Sequence, residues 1–351
     1  MKCFQSLFIS ILCVGPALAN YEDNASSAIK TLQDEWYDVN TGLWNDLWWQ
    51  SGNMVETIAR LGRYDADFRP TASNIIANTY SKAANRKNAT NWRNDFYDDM
   101  GWWAMAWISS YDMTGDRKYL NTAKDIFEDM TGGWTTPCGG GIWWDKPHTA
   151  IAAISNELFL SVAAHLTNRV SGDERTNYMH NAENEWDWFS RTGIINGDNL
   201  INDGIDLATC RNNGVTTWSY NQGVVLAGLS ELSRATSNRD YTAYAHRIAS
   251  ATITKLTVNG ILAEPVEEPP PPNDTDSQFK GAFVRGLAVL HANEPRQQYA
   301  DFLKKNADAA WSLAKAADGV IGPKWQGPPN NANPASHASG IDVLVAAAQA
   351  G

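Results

Sequence analysis

The densest chemical segment of the chain is Asn94-Asp95-Phe96-Tyr97-Asp98-Asp99-Met100-Gly101-Trp102-Trp103. If Asp98 and Asp99 face one cavity, their mutual repulsion raises one pKa and leaves the other group ionised. Such a split suits cleavage of a glycosidic bond, which needs one acid to protonate the leaving oxygen and one carboxylate to attack or stabilise the anomeric carbon. Consecutive Cα atoms lie about 3.8 Å apart, so two carboxyls that splay at a helix start can approach the roughly 5–5.5 Å spacing of retaining glycosidases. The competing reading is an acidic helix N-terminus, where the helix dipole favours Asp. The pair alone does not separate the two.

Two further clusters carry chemistry. In Cys138-Gly139-Gly140-Gly141-Ile142-Trp143-Trp144-Asp145 the glycines let backbone approach a ligand, or make a turn before a short strand. No Lys-Ser or Lys-Thr follows, so a phosphate cradle is a poor reading. In Thr217-Trp218-Ser219-Tyr220-Asn221-Gln222-Gly223 the amides offer donors and acceptors to hydroxyls, or the segment is a helix start with packed aromatics. Other chemistries lack their signatures. The 6 histidines are scattered without metal-ligand spacing, so neither a metal nor a cofactor is expected. No Gly-x-Ser-x-Gly elbow and no dinucleotide fingerprint is present.

The elements that must position these residues read as helices almost throughout. Apolar i, i+3, i+4 spacing predicts helices over 25–36, 55–61, 71–84, 103–111, 119–130, 150–166, 176–191, 220–235, 240–256, 280–291, 297–317 and 334–348. Thr114-Gly115-Asp116, Ser171-Gly172-Asp173 and Ser237-Asn238-Arg239-Asp240 punctuate them as helical hairpins, Gly ending one helix and Asp capping the next. Short pieces around 131–144 and 192–203 are candidates for small β-hairpins. About a dozen helices in hairpins can stack as an open solenoid or close into a ring. The short turns resemble one another while the long Gly- and Trp-rich loops differ, which favours an all-α (α/α)6 barrel, a double-layered helical toroid, with one functional mouth. Glu264 to Pro272 is read as a surface loop, because the residues after it supply helices the ring still needs.

Met1 to Ala19 has a basic start, a short apolar run and an Ala17-Leu18-Ala19 cleavage signal, so it is read as a signal peptide, with residues 20–351 as one catalytic domain. Secretion leaves Cys138 and Cys210, expected to pair as a disulfide. Asn24, Asn88 and Asn273 head N-glycosylation triplets. A net charge of −11 argues against nucleic acid. The segment 341–351 lacks the long apolar tail of a lipid-anchor signal, so no membrane anchor is expected, and the chain is expected to be a monomer. The 16 tryptophans suit sugar faces, although packing is the expected role of more than half of them.

These clusters, in this order, resemble glycoside hydrolase family 76, the α-1,6-mannanases. The resemblance rests on Tyr97-Asp98-Asp99 with Trp102-Trp103, on Gly139 to Trp144, on Ile154-Ser155-Asn156-Glu157, on Tyr220-Asn221-Gln222-Gly223 and on Phe279-Lys280-Gly281-Ala282-Phe283-Val284-Arg285. It covers nearly the whole chain after residue 19. It implies an (α/α)6 barrel acting with retention, with Asp98 as nucleophile and Asp99 as general acid/base. Trp102, Trp143, Trp144, Trp218, Tyr220, Asn221 and Gln222 are expected to line the sugar cleft. The implied activity is endo-cleavage of α-1,6-linked mannan. Cell-wall members of the family usually carry a lipid-anchor tail that this sequence lacks, so the resemblance favours a freely secreted enzyme. Transglycosylation on mannose-containing anchor glycans, or mannan binding without catalysis, are the alternatives.

Overall fold

A computed structural model describes residues 20–265 and 273–351. The expected signal peptide and most of the proline-rich loop lie outside the described residues. Within them the chain forms α1 (Tyr21–Trp36), α2 (Trp48–Tyr64), α3 (Arg69–Lys82), α4 (Tyr97–Thr114), α5 (Arg117–Thr131), α6 (Ala153–Thr167), α7 (Gly172–Arg191), α8 (Ser219–Thr236), α9 (Asp240–Lys255), α10 (Phe279–Asn293), α11 (Gln297–Ser312) and α12 (Pro334–Gln349). Each predicted helix is present. The predicted starts of α2 and α4 fall several residues late, and the predicted end of α11 runs too far.

Burial sorts these helices into two layers. Every residue of α6 is buried, and α2, α4, α8, α10 and α12 are buried over most of their length. A helix apolar on all sides has to sit inside. The odd-numbered helices are amphipathic: α5 buries Tyr119, Leu120, Ala123, Ile126, Phe127 and Met130 and turns its other side to solvent. The even helices pack in the order α2, α4, α6, α8, α10, α12, and α12 returns to pack on α2. The odd helices lie against the outside of this ring. The architecture is an (α/α)6 barrel.

Local signals set the turns. Gly115, at φ +73°, ends α4, and the Asp116 carboxylate accepts from the backbone N–H of Lys118 to cap α5. Asn333 and Ser336 form a capping box at α12, with Pro334 in its first turn. The other two hairpin signals differ from expectation. Gly172 opens α7 instead of ending α6, and Ser237 takes the left-handed position after α8.

Strands are minor. β1 (Tyr37–Asp38) pairs with β2 (Leu43–Trp44), β3 (Ile151–Ala152), β4 (Gly204–Asp206) and β5 (Arg211–Asn212) form an antiparallel sheet, and β6 (Thr257–Val258) pairs with β7 (Ile261–Leu262). The hairpins expected around 131–144 and 192–203 are not formed as strands; the second retains a single bridge between Ile195 and Ile201. Ten of the 16 tryptophans are buried, so packing is their commoner use. Trp103 and Trp107 stack with ring centroids 5.4 Å apart, and Trp92 closes on both.

The inner helices run parallel. Their N-termini meet at one mouth, where Gln278 Nε2 donates to the Gln50 carbonyl and Asn333 Nδ2 to Ser277. Their C-termini meet at the other, where Arg60 of α2 donates to Gln349 of α12. The ring is tightest between α8 and α10. A Cβ at Gly286 would stand 1.9 Å from the Gly223 carbonyl oxygen, and one at Gly223 would stand 2.2 Å from Phe283 Cα. Gly286→Ala is therefore expected to lower the unfolding free energy by about 2–3 kcal/mol, measured by denaturant titration.

Candidate active site

The Asp98-Asp99 pair sits in the first turn of α4, at the mouth formed by the inner N-termini. The chain enters this helix extended at Phe96, pinned across Asp145 by an isolated bridge, with Tyr97 N donating to the Trp144 carbonyl at 2.9 Å. The two carboxyls are held differently. Asp98 Oδ1 accepts from the Asp99 backbone N–H at 3.0 Å, and Asp98 Oδ2 accepts from Trp144 Nε1 at 2.9 Å. Asp99 Oδ2 accepts only from Asn94 Nδ2, at 2.7 Å. Burial raises Asp98 to about 6, opposed by the Trp144 and backbone hydrogen bonds. Burial raises Asp99 well above the usual carboxylate range, and the charge of Asp98 adds to it. Both shifts favour the protonated form, and Asp99, with one donor and a charged neighbour, is the more strongly disposed of the two to hold a proton.

The glycine cluster packs against the protein itself. Gly140 and Gly141 take positive φ, and a Cβ on either would stand 2.6 or 2.4 Å from the Trp188 ring. Their small size thus admits Trp188 of α7, whose Nε1 donates to the Cys138 carbonyl. Asn156 of α6 accepts from Ile142 N at 2.7 Å and donates to the Ile142 and Ala152 carbonyls. These bonds fix Trp143 and Trp144. Trp143 is nearly buried and stacks on the exposed His148 ring at 4.7 Å, while Trp144 is half-buried beside Phe96. Cys138 and Cys210 form the expected disulfide, tying this loop to the β4–β5 turn across 72 residues.

The third cluster opens α8. Tyr220 is half-buried, stacks on Phe279 at 3.8 Å and donates to Asp203 Oδ1 at 3.3 Å. Asn221 is buried and donates to the same oxygen at 3.3 Å, leaving its own Oδ1 without a partner. Burial is the largest cause of the raised Tyr220 pKa, but the charges of Asp203 and Asp98 also contribute, so this cluster shares the mouth with the aspartate pair. Trp218, half-buried, stands edge-on to Phe279.

Two expected cleft residues are placed elsewhere. Gln222 is fully buried, and its amide is spent on Ile201 N, the Ile201 carbonyl and the Trp218 carbonyl, so it shapes the cleft from behind. Trp102 is 5% exposed, stacks with Trp49 and lines a cavity that opens at the opposite mouth, so it forms a floor beneath the pair. Sequence reading missed Asp203, the shared acceptor for Tyr220 and Asn221. It also gave no role to Glu157, fully buried on α6 with both carboxyl oxygens unpartnered, which burial, Asp203 and Glu185 raise well above the usual carboxylate range. Asp203 lies outside every motif read from the sequence, and Glu157, although part of the Ile154-Ser155-Asn156-Glu157 motif, joins the cluster through ring closure. Among the described residues no three His, Cys, Asp or Glu side chains gather as a metal site.

Of the expected glycosylation sites, Asn88 and Asn273 are exposed, while Asn24 lies half-buried in α1. No helix among the described residues is long and apolar enough to cross a membrane.

An (α/α)6 barrel with a buried acidic pair among tryptophan, tyrosine and amide groups has the make-up of a glycoside hydrolase. Residues 20–348 match the model of glycosyl hydrolase family 76, and the chain belongs to that family. A Schizosaccharomyces pombe protein provisionally named a mannan endo-1,6-alpha-mannosidase is 26% identical, over 85% of this chain and 72% of its own length. The mannan endo-1,6-alpha-mannosidase DFG5 of Saccharomyces cerevisiae is 28% identical, over 65% of this chain; the chain spans about half of that relative, 54%. The alpha-1,6-mannanase GH76A of Salegentibacter sp. HEL1_6 has the same fold, with a TM-score of 0.80, 22% identity, and coverage of 94% of this chain and 99% of that one. The structure compared is an inactive variant with two consecutive aspartates replaced by alanine, in complex with alpha-1,6-mannotetrose.

Replacing either cysteine by serine is expected to lower unfolding stability by about 2–4 kcal/mol, read by denaturant titration beside the reduced wild-type protein.

Proposed function

We propose that this chain is a retaining, endo-acting α-1,6-mannanase in which Asp98 is the nucleophile and Asp99 the general acid/base. The observation that carries this reading is the unequal holding of the two carboxyls: Asp98 receives two hydrogen bonds suited to an anion, while Asp99 receives one and is raised well above the usual carboxylate range. The relatives' names and the oligosaccharide bound to the Salegentibacter enzyme support mannan as the substrate class. Exposed acceptor asparagines and the disulfide support a secreted glycoprotein. Residues 20–351 are read as one catalytic domain acting as a monomer.

In this mechanism the Asp98 carboxylate attacks the anomeric carbon as Asp99 gives its proton to the departing glycosidic oxygen. The C–O bond to the leaving chain breaks and a mannosyl ester on Asp98 forms. Asp99, now ionised, takes a proton from an incoming water, which attacks the same carbon and frees Asp98. Trp144 and the Asp99 backbone N–H hold the nucleophile's oxygens through both steps. Asp203 is a fixed acceptor for substrate hydroxyls, steadied by Tyr220 and Asn221. Trp144 and Trp218 offer ring faces to sugar C–H surfaces.

The pH profile follows from the two protonation states. Lowering pH through about 6 protonates Asp98 and removes the nucleophile. Raising pH through the elevated Asp99 pKa removes the acid, so kcat/KM is expected to be bell-shaped with its acid limb near 6. Asp98→Asn and Asp99→Asn are each expected to cut the release of α-1,6-manno-oligosaccharides by roughly 10⁴-fold while keeping a thermal midpoint no lower than the wild type's. The folded state binds protons on this pair that the unfolded state has released by neutral pH, so the pair opposes folding there and its replacement does not. Retained cleavage in both variants contradicts the assignment. Asp203→Ala is expected to lower kcat/KM about 10- to 100-fold, the worth of one hydrogen bond to a charged group, and an unchanged value rejects its role.

A further inference from the structure

One opening of the barrel lies away from the aspartate pair. A cavity of about 500 Å³ lies on the ring axis at the opposite mouth, among the C-terminal halves of the inner helices. That volume falls within the ~300–1,000 Å³ of ordinary ligand cavities. Trp102 closes its inner end, one helical turn beyond Asp98 and Asp99, so the cavity and the catalytic cleft lie on two sides of one floor.

The walls combine an apolar face with a fixed polar network. Trp102, Met105, Leu158, Val224 and Ala227 supply the face. The network alternates donors and acceptors. Arg169 Nε donates to Asp112 at 2.8 Å, Arg63 stands 3.3 Å from the same carboxylate, and Glu231 takes Arg169 at 3.5 Å and Arg234 at 2.6 Å. Arg60 has its nearest carboxylate, Glu56, at 3.8 Å and donates instead to Gln349 at 2.8 Å. Ser161, also on the wall, has a buried hydroxyl with no protein partner. Side chains held by each other present hydrogen-bonding edges at fixed positions, and no ordering cost falls on a ligand that meets them.

Charge decides the class of ligand. Five arginines line the cavity against three carboxylates, which by itself invites an anion. The six inner helices, however, direct their C-termini here, each equivalent to roughly half a negative charge. Asp342 also neutralises Arg285 from behind, at 2.6 Å. The arginines therefore answer charge the fold already supplies. What remains is an apolar wall beside the ordered edges of that network and the unpartnered Ser161 hydroxyl, a combination that suits a sugar with one apolar face and a hydroxylated edge.

We propose that this cavity is a second, non-catalytic site for a neutral sugar of one or two residues. It does not depend on the aspartate roles, since no catalytic group lines it. The test is equilibrium dialysis of the full chain against methyl α-mannoside, with Ala292→Trp and Arg234→Ala beside it. Ala292 is an exposed residue on the cavity wall, so a tryptophan there obstructs the mouth without entering the core. Ala292→Trp is expected to bind one sugar fewer per chain than the wild type while cleaving mannan at the wild-type rate. Arg234→Ala is expected to weaken the same site about tenfold. Equal sugar binding by the wild type and Ala292→Trp overturns the proposal. So does binding of inorganic phosphate that Ala292→Trp abolishes without a matching loss of sugar. Failure of the aspartate assignment would appear in the cleavage rates and leave this difference in binding untouched.

Discussion

Two carboxyl groups on adjacent residues cannot both be ionised cheaply once protein surrounds them. That constraint organises the mouth of this barrel. Desolvation raises Asp98 and Asp99 together, and what separates them is the small set of donors the fold delivers. Asp98 takes the indole of Trp144 and a backbone N–H of its own helix; Asp99 takes one amide from Asn94. The indole arrives because the 144–146 strand-like segment is bonded to the entry of α4, and because Asn156 anchors Ile142 to the next inner helix. The difference between the two carboxyls is thus a product of two neighbouring helices and the loop between them.

Ring closure extends the same logic. Since the inner helices are parallel, their positive ends converge on the mouth that holds Asp98 and Asp99, where negative charge is favoured, and their negative ends converge on the far mouth, where arginines gather. Between the two lies a floor built from Trp102 and the buried Arg285–Asp342 pair. The cost of assembling such a mouth is visible nearby in Glu157 and Glu185, whose buried oxygens have no partner and whose pKa values burial raises well above the usual carboxylate range. A chain that tolerates these groups depends on its apolar inner ring and on close helix contacts such as Gly223 against Gly286 for stability.

The helix count and the two-layer ring were legible because amphipathic outer helices keep a clear period and because Gly115-Asp116 writes its turn chemistry plainly. The inner helices were less legible. They are buried on all sides, so α2 could be read only from Val55, its polar first turns through Gln50, Ser51 and Asn53 giving no period. The aspartate pair and the half-buried Trp144, Trp218 and Tyr220 were accessible to sequence reading because each sits in a compact motif, and the disulfide because only two cysteines follow residue 19. Gln222 and Trp102 sit in the same motifs yet point elsewhere, since one turn of helix carries a side chain from the cleft to its support. The glycine cluster was read as either close approach to a ligand or a turn before a short strand, and what it admits is the ring of Trp188, 50 residues from Cys138 in sequence. Asp203 became visible only when the ring brought its loop to α8.

The most direct test of the central claim is the anomeric configuration of the first product formed from unbranched α-1,6-mannan, followed by proton NMR before mutarotation. An adjacent pair acting as nucleophile and acid must pass through a glycosyl ester, so the account predicts that the α-anomer of the new reducing end appears first. First appearance of the β-anomer would mean a single displacement by water and would contradict the assignment of Asp98.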